Sequence, residues 1–299
     1  MHGEPKTSGI DRPLPQKIAI GDRVPPHLYF IVSAVFHYLG PAFAVLLFAH
    51  VEPLGVAWLR IASAGLIFAV WRRPLRYFLR QDAKDRWNMM ALGVVLGCMN
   101  ICFYLAIARL PLGTVGAIEF LGPIGLALAG MRTARNVVAL AIAIVGVWLL
   151  THVRMTGATL GFAFAFANCA LFTLYIVLGH RVAKDGGGNG IDRLAVAMLM
   201  AMLLVMPLGL RDAMTALVSP GLLAAGIGIG VSSSVIPYVC DQLAMARLPR
   251  ATFALLLALL PATASLIGIV ILHQLPSPAE ATGIALVIVG VNLHRAGNR

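Results

Sequence analysis

Most ionisable residues of this 299-residue chain sit in short polar links, but His37, Arg60 and Glu119 stand inside long apolar stretches, as does the amide of Asn100. An ionisable group in such surroundings is costly and, where it persists, faces a polar cavity or a partner. Arginine offers a planar fork of N–H donors that grips a carboxylate with two parallel bonds, and a glutamate accepts an ammonium. Arg60 and Glu119 therefore match the two ends of an amino acid, with Asn100 as a neutral polar neighbour. The same two residues can instead neutralise each other as a strut between helices. Glu119 can also take up and release a proton. His37 is either a proton-sensitive cavity group or a hydrogen-bonded packing residue. Tyr175 joins the candidate binding residues. Tyr238 lines the path or anchors at an interface, and Tyr104, close to the end of its stretch, reads as an interfacial anchor. Asp241 is expected to contact Arg247 or Arg250.

The elements that must carry these groups are transmembrane helices. Hydrophobic residues make up 60% of the chain and charged residues only 12%, with mean hydropathy +0.88; soluble domains carry about 25% charge. Ten apolar spans follow one another at 28–49, 53–71, 87–108, 111–130, 135–151, 158–180, 194–210, 220–246, 249–272 and 278–294. A hydrocarbon core of about 30 Å is crossed by about 20 such residues. The fold class expected is all-α integral membrane, with every backbone group satisfied inside its own helix. At about 1.5 Å per residue, Arg60 and Asn100 lie about 10 Å and Glu119 about 12 Å below one surface. The three occupy nearly one level, with His37 closer to the midplane. Residues 1–27 are polar, lack a signal-peptide core and read as a disordered cytoplasmic tail.

A net charge of +11 raises the question of nucleic acid, and its distribution answers it. Of the 23 Lys and Arg, 19 fall on one side if the amino terminus is inside, among them the cluster from Arg72 to Arg86; Arg109, Arg154 and Arg211 fall on the other. That is the positive-inside bias, which places both termini in the cytoplasm and assigns the charge to orientation and the lipid bilayer. Cys98, Cys102, Cys169 and Cys240 lie inside spans with no His or carboxylate at ligand spacing, so no metal is expected. A membrane-embedded enzyme has only His37 with Glu119 as a candidate pair, with no third partner; no catalytic residue and no cofactor are assigned. No nucleotide-binding motif is present, so coupling is expected to an ion or substrate gradient.

Two stretches nearly repeat. Leu105-Ala-Ile-Ala-Arg-Leu-Pro111 recurs as Leu243-Ala-Met-Ala-Arg-Leu-Pro249, and Pro123 matches Pro261 at the same offset of 138. Ala143-Ile-Val-Gly-Val147 echoes Val287-Ile-Val-Gly-Val291. The division expected is a five-helix unit at 28–151 and a second at 158–295. Five is odd, so the second unit enters the membrane inverted, the arrangement by which many secondary transporters alternate access. Pro123, Pro237 and Pro261 interrupt helices mid-membrane and are candidate hinges.

At these residues the chain resembles the drug/metabolite transporter superfamily, with EamA-type repeats. Gly97-Cys-Met-Asn-Ile-Cys-Phe-Tyr-Leu105, Leu110-Pro-Leu-Gly113 and Glu119-Phe-Leu-Gly-Pro123 resemble its threonine/homoserine exporters, as do Leu59-Arg60-Ile61, Tyr175-Ile176 and Ile236-Pro-Tyr238 with the acid Asp241. The resemblance implies a multi-pass exporter of the bacterial inner membrane, monomer or homodimer, for a small neutral amino acid such as threonine or homoserine. A broader drug or aromatic metabolite exporter of the same superfamily is the alternative.

Overall fold

The computed structural model describes residues 25–130, 133–184, 190–245 and 260–293, and among these every regular element is helical. The N-terminal tail to residue 24, the Arg247–Pro249 repeat block with Arg250, and the last six residues lie outside the described residues, as does the side chain of Asp241.

Prolines set the starts. Helices α1 (Pro26–Leu47), α2 (Pro53–Arg72), α3 (Pro74–Leu79), α9 (Pro220–Gly230) and α12 (Pro278–Leu293) each begin with proline. Its fixed φ suits the first turn, where its missing N–H goes unused. α2 ends where Arg73 turns left-handed at φ 50°, because Pro74 disfavours a helical residue before it. α4 (Ala83–Ile107) is capped by Asp82, whose carboxylate accepts from the Asp85 amide at 2.8 Å. The remaining elements are α5 (Leu112–Glu119), α6 (Leu121–Gly130), α7 (Ala134–Lys184), α8 (Gly190–Leu217), α10 (Ile236–Met245) and α11 (Leu260–Leu272). A π turn, Val231–Val235, joins α9 to α10.

Six of the described helical stretches are long and apolar enough to cross a membrane, and Leu112–Leu126, Ala134–Leu150, Leu260–Leu272 and Pro278–Leu293 are shorter apolar helices. Two departures from the expected spans have physical causes. The span at 111–130 is broken at Phe120, between α5 and α6. Pro123 has no N–H to give to the Glu119 carbonyl four residues back, so the ladder fails there. The span at 220–246 survives its own proline, Pro237, by widening into the π turn just before it. A third departure concerns the link between 151 and 158: α7 is one helical run of 51 residues through it.

α2 lies along α8, and the first part of α7 lies along α12; α1 packs on α9, the π turn and α10, while the second part of α7 packs on α4, and α5 packs on α11. Crossings are close where glycines meet. A Cβ added at Gly283 would come 2.7 Å from the Gly146 carbonyl, and one at Gly146 would come 2.6 Å from the Gly283 carbonyl. Small residues let helix backbones approach in this way, where dispersion rather than hydrophobicity holds helices together. Gly283→Leu is accordingly expected to destabilise the protein by about 1–3 kcal/mol, seen as a lower melting temperature in detergent. A melting curve equal to wild type would mean that α7 and α12 do not rely on this crossing.

One end of the bundle is tied by charge. Arg72 grips Asp192 with two bonds of 2.7 and 2.9 Å, and Arg193 donates to Asp85 at 3.0 Å and to the Tyr77 hydroxyl at 3.3 Å. These contacts join the ends of α2, α3, α4 and α8.

Candidate functional site

Arg60 is 6% exposed and Glu119 4% exposed. The structure brings both into the same interior region, yet no ion pair joins them among the described residues. Arg60 is held by a different set. Its Nη1 donates to Asn100 Oδ1 at 2.7 Å, its Nε to Ser234 Oγ at 3.0 Å and its Nη2 to the Ser233 carbonyl at 3.1 Å. The Tyr104 ring lies beneath the guanidinium, 5.6 Å from its carbon to the ring centroid, a cation–π contact. Asn100 is fixed in turn by donating to the Leu96 carbonyl at 3.2 Å. A guanidinium has five N–H groups, and these three bonds leave two uncommitted.

The Ser233 carbonyl is available to Arg60 for a reason visible in the chain. Pro237 stands four residues on and has no N–H to return to Ser233 in an α-helical ladder. The same spacing recurs at His37 with Pro41 and at Glu119 with Pro123. Each of these polar positions therefore has a backbone carbonyl without its ordinary helical donor. Ser233 turns its own hydroxyl back to the Ile229 carbonyl, and Gly40 of α1 packs directly on Ser233.

Glu119 is the last residue of α5. Its Oε1 accepts from Asn168 Nδ2 at 3.3 Å. Its Oε2 and the Asn168 Oδ1 are both buried with no hydrogen-bonding partner among the described residues. The Tyr38 hydroxyl, on α1, faces Glu119 outside hydrogen-bonding geometry and is likewise buried and unpartnered. Arg60 lies within electrostatic reach of Glu119 and of His37.

The other expected residues fall around this centre. His37 is half-buried and meets Tyr38 edge to face, with centroids 5.2 Å apart. Tyr175 is half-buried and stacks on Phe172 at 6.3 Å; Phe172 in turn meets Phe120, the residue after Glu119. Asn168, Phe172 and Tyr175 are spaced i, i+4, i+7 and so share one face of α7. Pro123 and Pro237 flank the centre, whereas Pro261 stands second in α11 and residues 246–259 before that helix lie outside the described residues. Tyr104 corrects the interfacial reading: it is fully buried under Arg60. Its depth in the span is shallow, but its face of α4 points inward.

Sequence reasoning missed Tyr38, Asn168, Ser233 and Ser234. Asn168 was findable, as the lone carboxamide in the 158–180 span, by the reasoning that singled out Asn100. Ser233 and Ser234 carry no charge and stand among small residues, which in a sequence mark close helix contact rather than a site.

Comparison with known proteins gives three findings. A family model described as the EamA-like transporter family matches residues 159–294. The threonine/homoserine exporter RhtA of Escherichia coli (strain K12) is 32% identical over 270 residues, covering 88% of each chain, and RhtA of Salmonella typhimurium (strain LT2) is similar to the same extent. The uncharacterized transporter YwfM of Bacillus subtilis (strain 168) is 24% identical, covering 91% of this chain and 94% of its own. A crystal structure of a protein 20% identical superposes over 90% of this chain and 95% of its own with a TM-score of 0.62, which speaks for the fold alone.

Proposed function

This chain belongs to the EamA-like transporter family, a multi-pass membrane transporter rather than an enzyme, and from that premise we propose that it exports a small neutral amino acid such as threonine or homoserine. The observation that carries the substrate class is the pairing of unspent groups at one level. Arg60 retains two N–H donors, and Glu119 retains one oxygen. A carboxylate at the first and an ammonium at the second is the pattern of a zwitterion. Asn100 orients the fork, and His37 and Tyr175 bound the space. The relatives named threonine/homoserine exporters support the same class.

Export proceeds by alternating access between inverted halves at 28–151 and 158–295. The packing supports this reading. Exchanging the halves maps α2·α8 onto itself, likewise α7·α12 and α5·α11, and turns α1 on α9–α10 into the second part of α7 on α4. α7 supports it too, for its length of 51 residues is about 77 Å if straight, over twice the hydrocarbon core. Arg135 near its start donates to the Leu293 carbonyl, at the far end of α12 from Gln274, which caps Leu112. Leu178 near its end packs against the cluster that holds Phe68, near the end of α2, and Leu92 of α4. Both ends of α7 thus belong to one side, as two antiparallel spans require. A proton taken up by Glu119 as substrate leaves supplies the driving force, and Pro123, Pro237 and Pro261 are the hinges.

A second reading, export of an aromatic metabolite, is favoured by the Phe120, Phe172 and Tyr175 cluster beside Glu119. One experiment separates the two. Cells lacking amino-acid exporters are given this protein and loaded with dipeptides, and the released amino acids are measured. Threonine or homoserine efflux well above that of phenylalanine supports the first reading, and the reverse order replaces it. Orientation is checked separately: reporter fusions at Asp82 and Arg299 are both expected to read cytoplasmic, and a periplasmic signal at either would overturn the inverted arrangement.

A further inference from the structure

We propose that Glu119 and Asn168 form a cyclic acid–amide pair that holds one proton, with Tyr38 as the donor that replaces it when the proton leaves. This rests on the reading that Glu119 carries the coupling proton, and it assigns the atoms. Asn168 Nδ2 already donates to Glu119 Oε1 at 3.3 Å. The two atoms left over, Glu119 Oε2 and Asn168 Oδ1, are both acceptors, both buried and both without a partner among the described residues; Glu119 is 4% and Asn168 0% exposed. A carboxyl and a carboxamide present matching edges. Once one bond is made between Nδ2 and Oε1, a single proton on Oε2 makes the second, donated to Oδ1, and both orphaned acceptors are satisfied at once. Leaving them unmade costs the full desolvation penalty of each.

The ionised state has its own partner. With Oε2 deprotonated, Oδ1 and Oε2 are two acceptors with no proton to share, and the donor beside Glu119 is the Tyr38 hydroxyl, itself buried and without a partner among the described residues. The step is a proton transfer with no other bond made or broken. The Oε2–H bond breaks, the proton passes to water on whichever side the cavity opens, the electron pair stays on Oε2, and the Tyr38 O–H turns to donate to it. The Nδ2–Oε1 bond stands in both states, and the second bond differs: the acid form makes it from α5 to α7 through Asn168 Oδ1, and the ionised form makes it from α5 to α1 through Tyr38. The titratable and charged groups that face this pair are Tyr38 on α1, Arg60 on α2 and Cys169 on α7, while His37 on α1 and Tyr104 on α4 face Arg60. Arg60 makes its three bonds to Asn100 and the serines and none to Glu119 among the described residues; its two remaining N–H groups are the ones assigned above to the substrate carboxylate. On α12, Glu280 is engaged with Ser277 in a capping arrangement instead.

Infrared difference spectra of the full-length protein in lipid, recorded across a pH step, read the pair directly. Wild type is expected to show a carboxylic-acid carbonyl band that Glu119→Gln removes and Asn168→Leu shifts. Protein grown with side-chain-labelled asparagine is expected to show an amide carbonyl band changing in the same step, which Asn168→Leu abolishes. Tyr38→Phe is expected to leave the acid band in place and move only the carboxylate band. If Asn168→Leu does not fold, Asn168→Ser serves, and the labelled wild type needs no variant at all. A Glu119 acid band indifferent to Asn168 with no labelled-amide change, or no titrating carboxyl at all, overturns the pair. Efflux separates the two ideas. Transport that follows the pH gradient with no Asn168 signal keeps proton coupling and sinks the pair. An intact pair with gradient-independent efflux does the opposite.

Discussion

Arg60→Lys is expected to reduce amino-acid efflux by about a hundredfold while the protein still reaches the membrane. Lysine keeps the charge but is a point donor without the fork. Arg60 reaches Asn100 Oδ1, Ser234 Oγ and the Ser233 carbonyl from three different nitrogens, and one ammonium cannot hold all three in that geometry. Loss of two such bonds, each worth about 1.5 kcal/mol when one partner is charged, amounts to about 3 kcal/mol and hence about two decades. The comparison that decides between site and strut is the double variant Arg60→Met with Glu119→Gln. Were the two residues only a neutralising pair, removing both charges would restore folded, active protein. Because Arg60 is tied to α4 and the π turn rather than to Glu119, the double variant is expected to stay inactive. Full efflux by it, measured against the amount of protein in the membrane, would take both residues out of the site.

Glu119→Gln is expected to abolish gradient-driven efflux and retain exchange that ignores the gradient. The glutamine amide imitates the protonated acid: one edge still accepts from Asn168, and its NH2 donates where a carboxyl O–H would. The substitution thus fixes one protonation state with little change of shape, so the variant is expected to reach the membrane in normal amount. In proteoliposomes with the voltage clamped, wild-type efflux should fall when the pH gradient is collapsed, and the variant should not respond. A wild-type protein indifferent to the gradient would refute proton coupling and return Glu119 to a binding or structural role.

Depth was readable from the chain, whereas azimuth was not. Counting residues from span ends put Arg60, Asn100 and Glu119 at one level, and Arg60 and Asn100 do meet at 2.7 Å. The same counting could not tell which face of α4 Tyr104 occupies, and so assigned a buried ring to the interface. It also left a direct Arg60–Glu119 strut open beside the zwitterion clamp, since two strong opposite charges at a level are natural partners on paper. The guanidinium is instead satisfied by an amide, a hydroxyl and a backbone carbonyl, and a carbonyl carries no signature in a sequence except through the proline that frees it. Prolines announced interruptions correctly but not their form: Pro123 gives a break three residues earlier at Phe120, and Pro237 gives a π turn. Small residues gave close contact only on one face: Gly226 packs on Leu59 and Gly230 on Ser63 of α2, while Gly228 meets no neighbour among the described residues.

The bond from Arg60 to the Ser233 carbonyl has a consequence for anyone who would re-engineer this protein. The carbonyl exists as a free acceptor only because the helix is interrupted, so on the function proposed above the substrate-gripping group is anchored to the proposed hinge itself. Selectivity and turnover are then not independent dials. Variants chosen for a new preference at Arg60, Asn100 or Ser234 are expected to alter the speed of cycling as well, and a faster variant found elsewhere along α9–α10 is expected to have drifted in what it accepts. A directed-evolution campaign on this scaffold should therefore screen for rate and selectivity together, because a library ranked on either one alone will climb along a trade-off instead of across it.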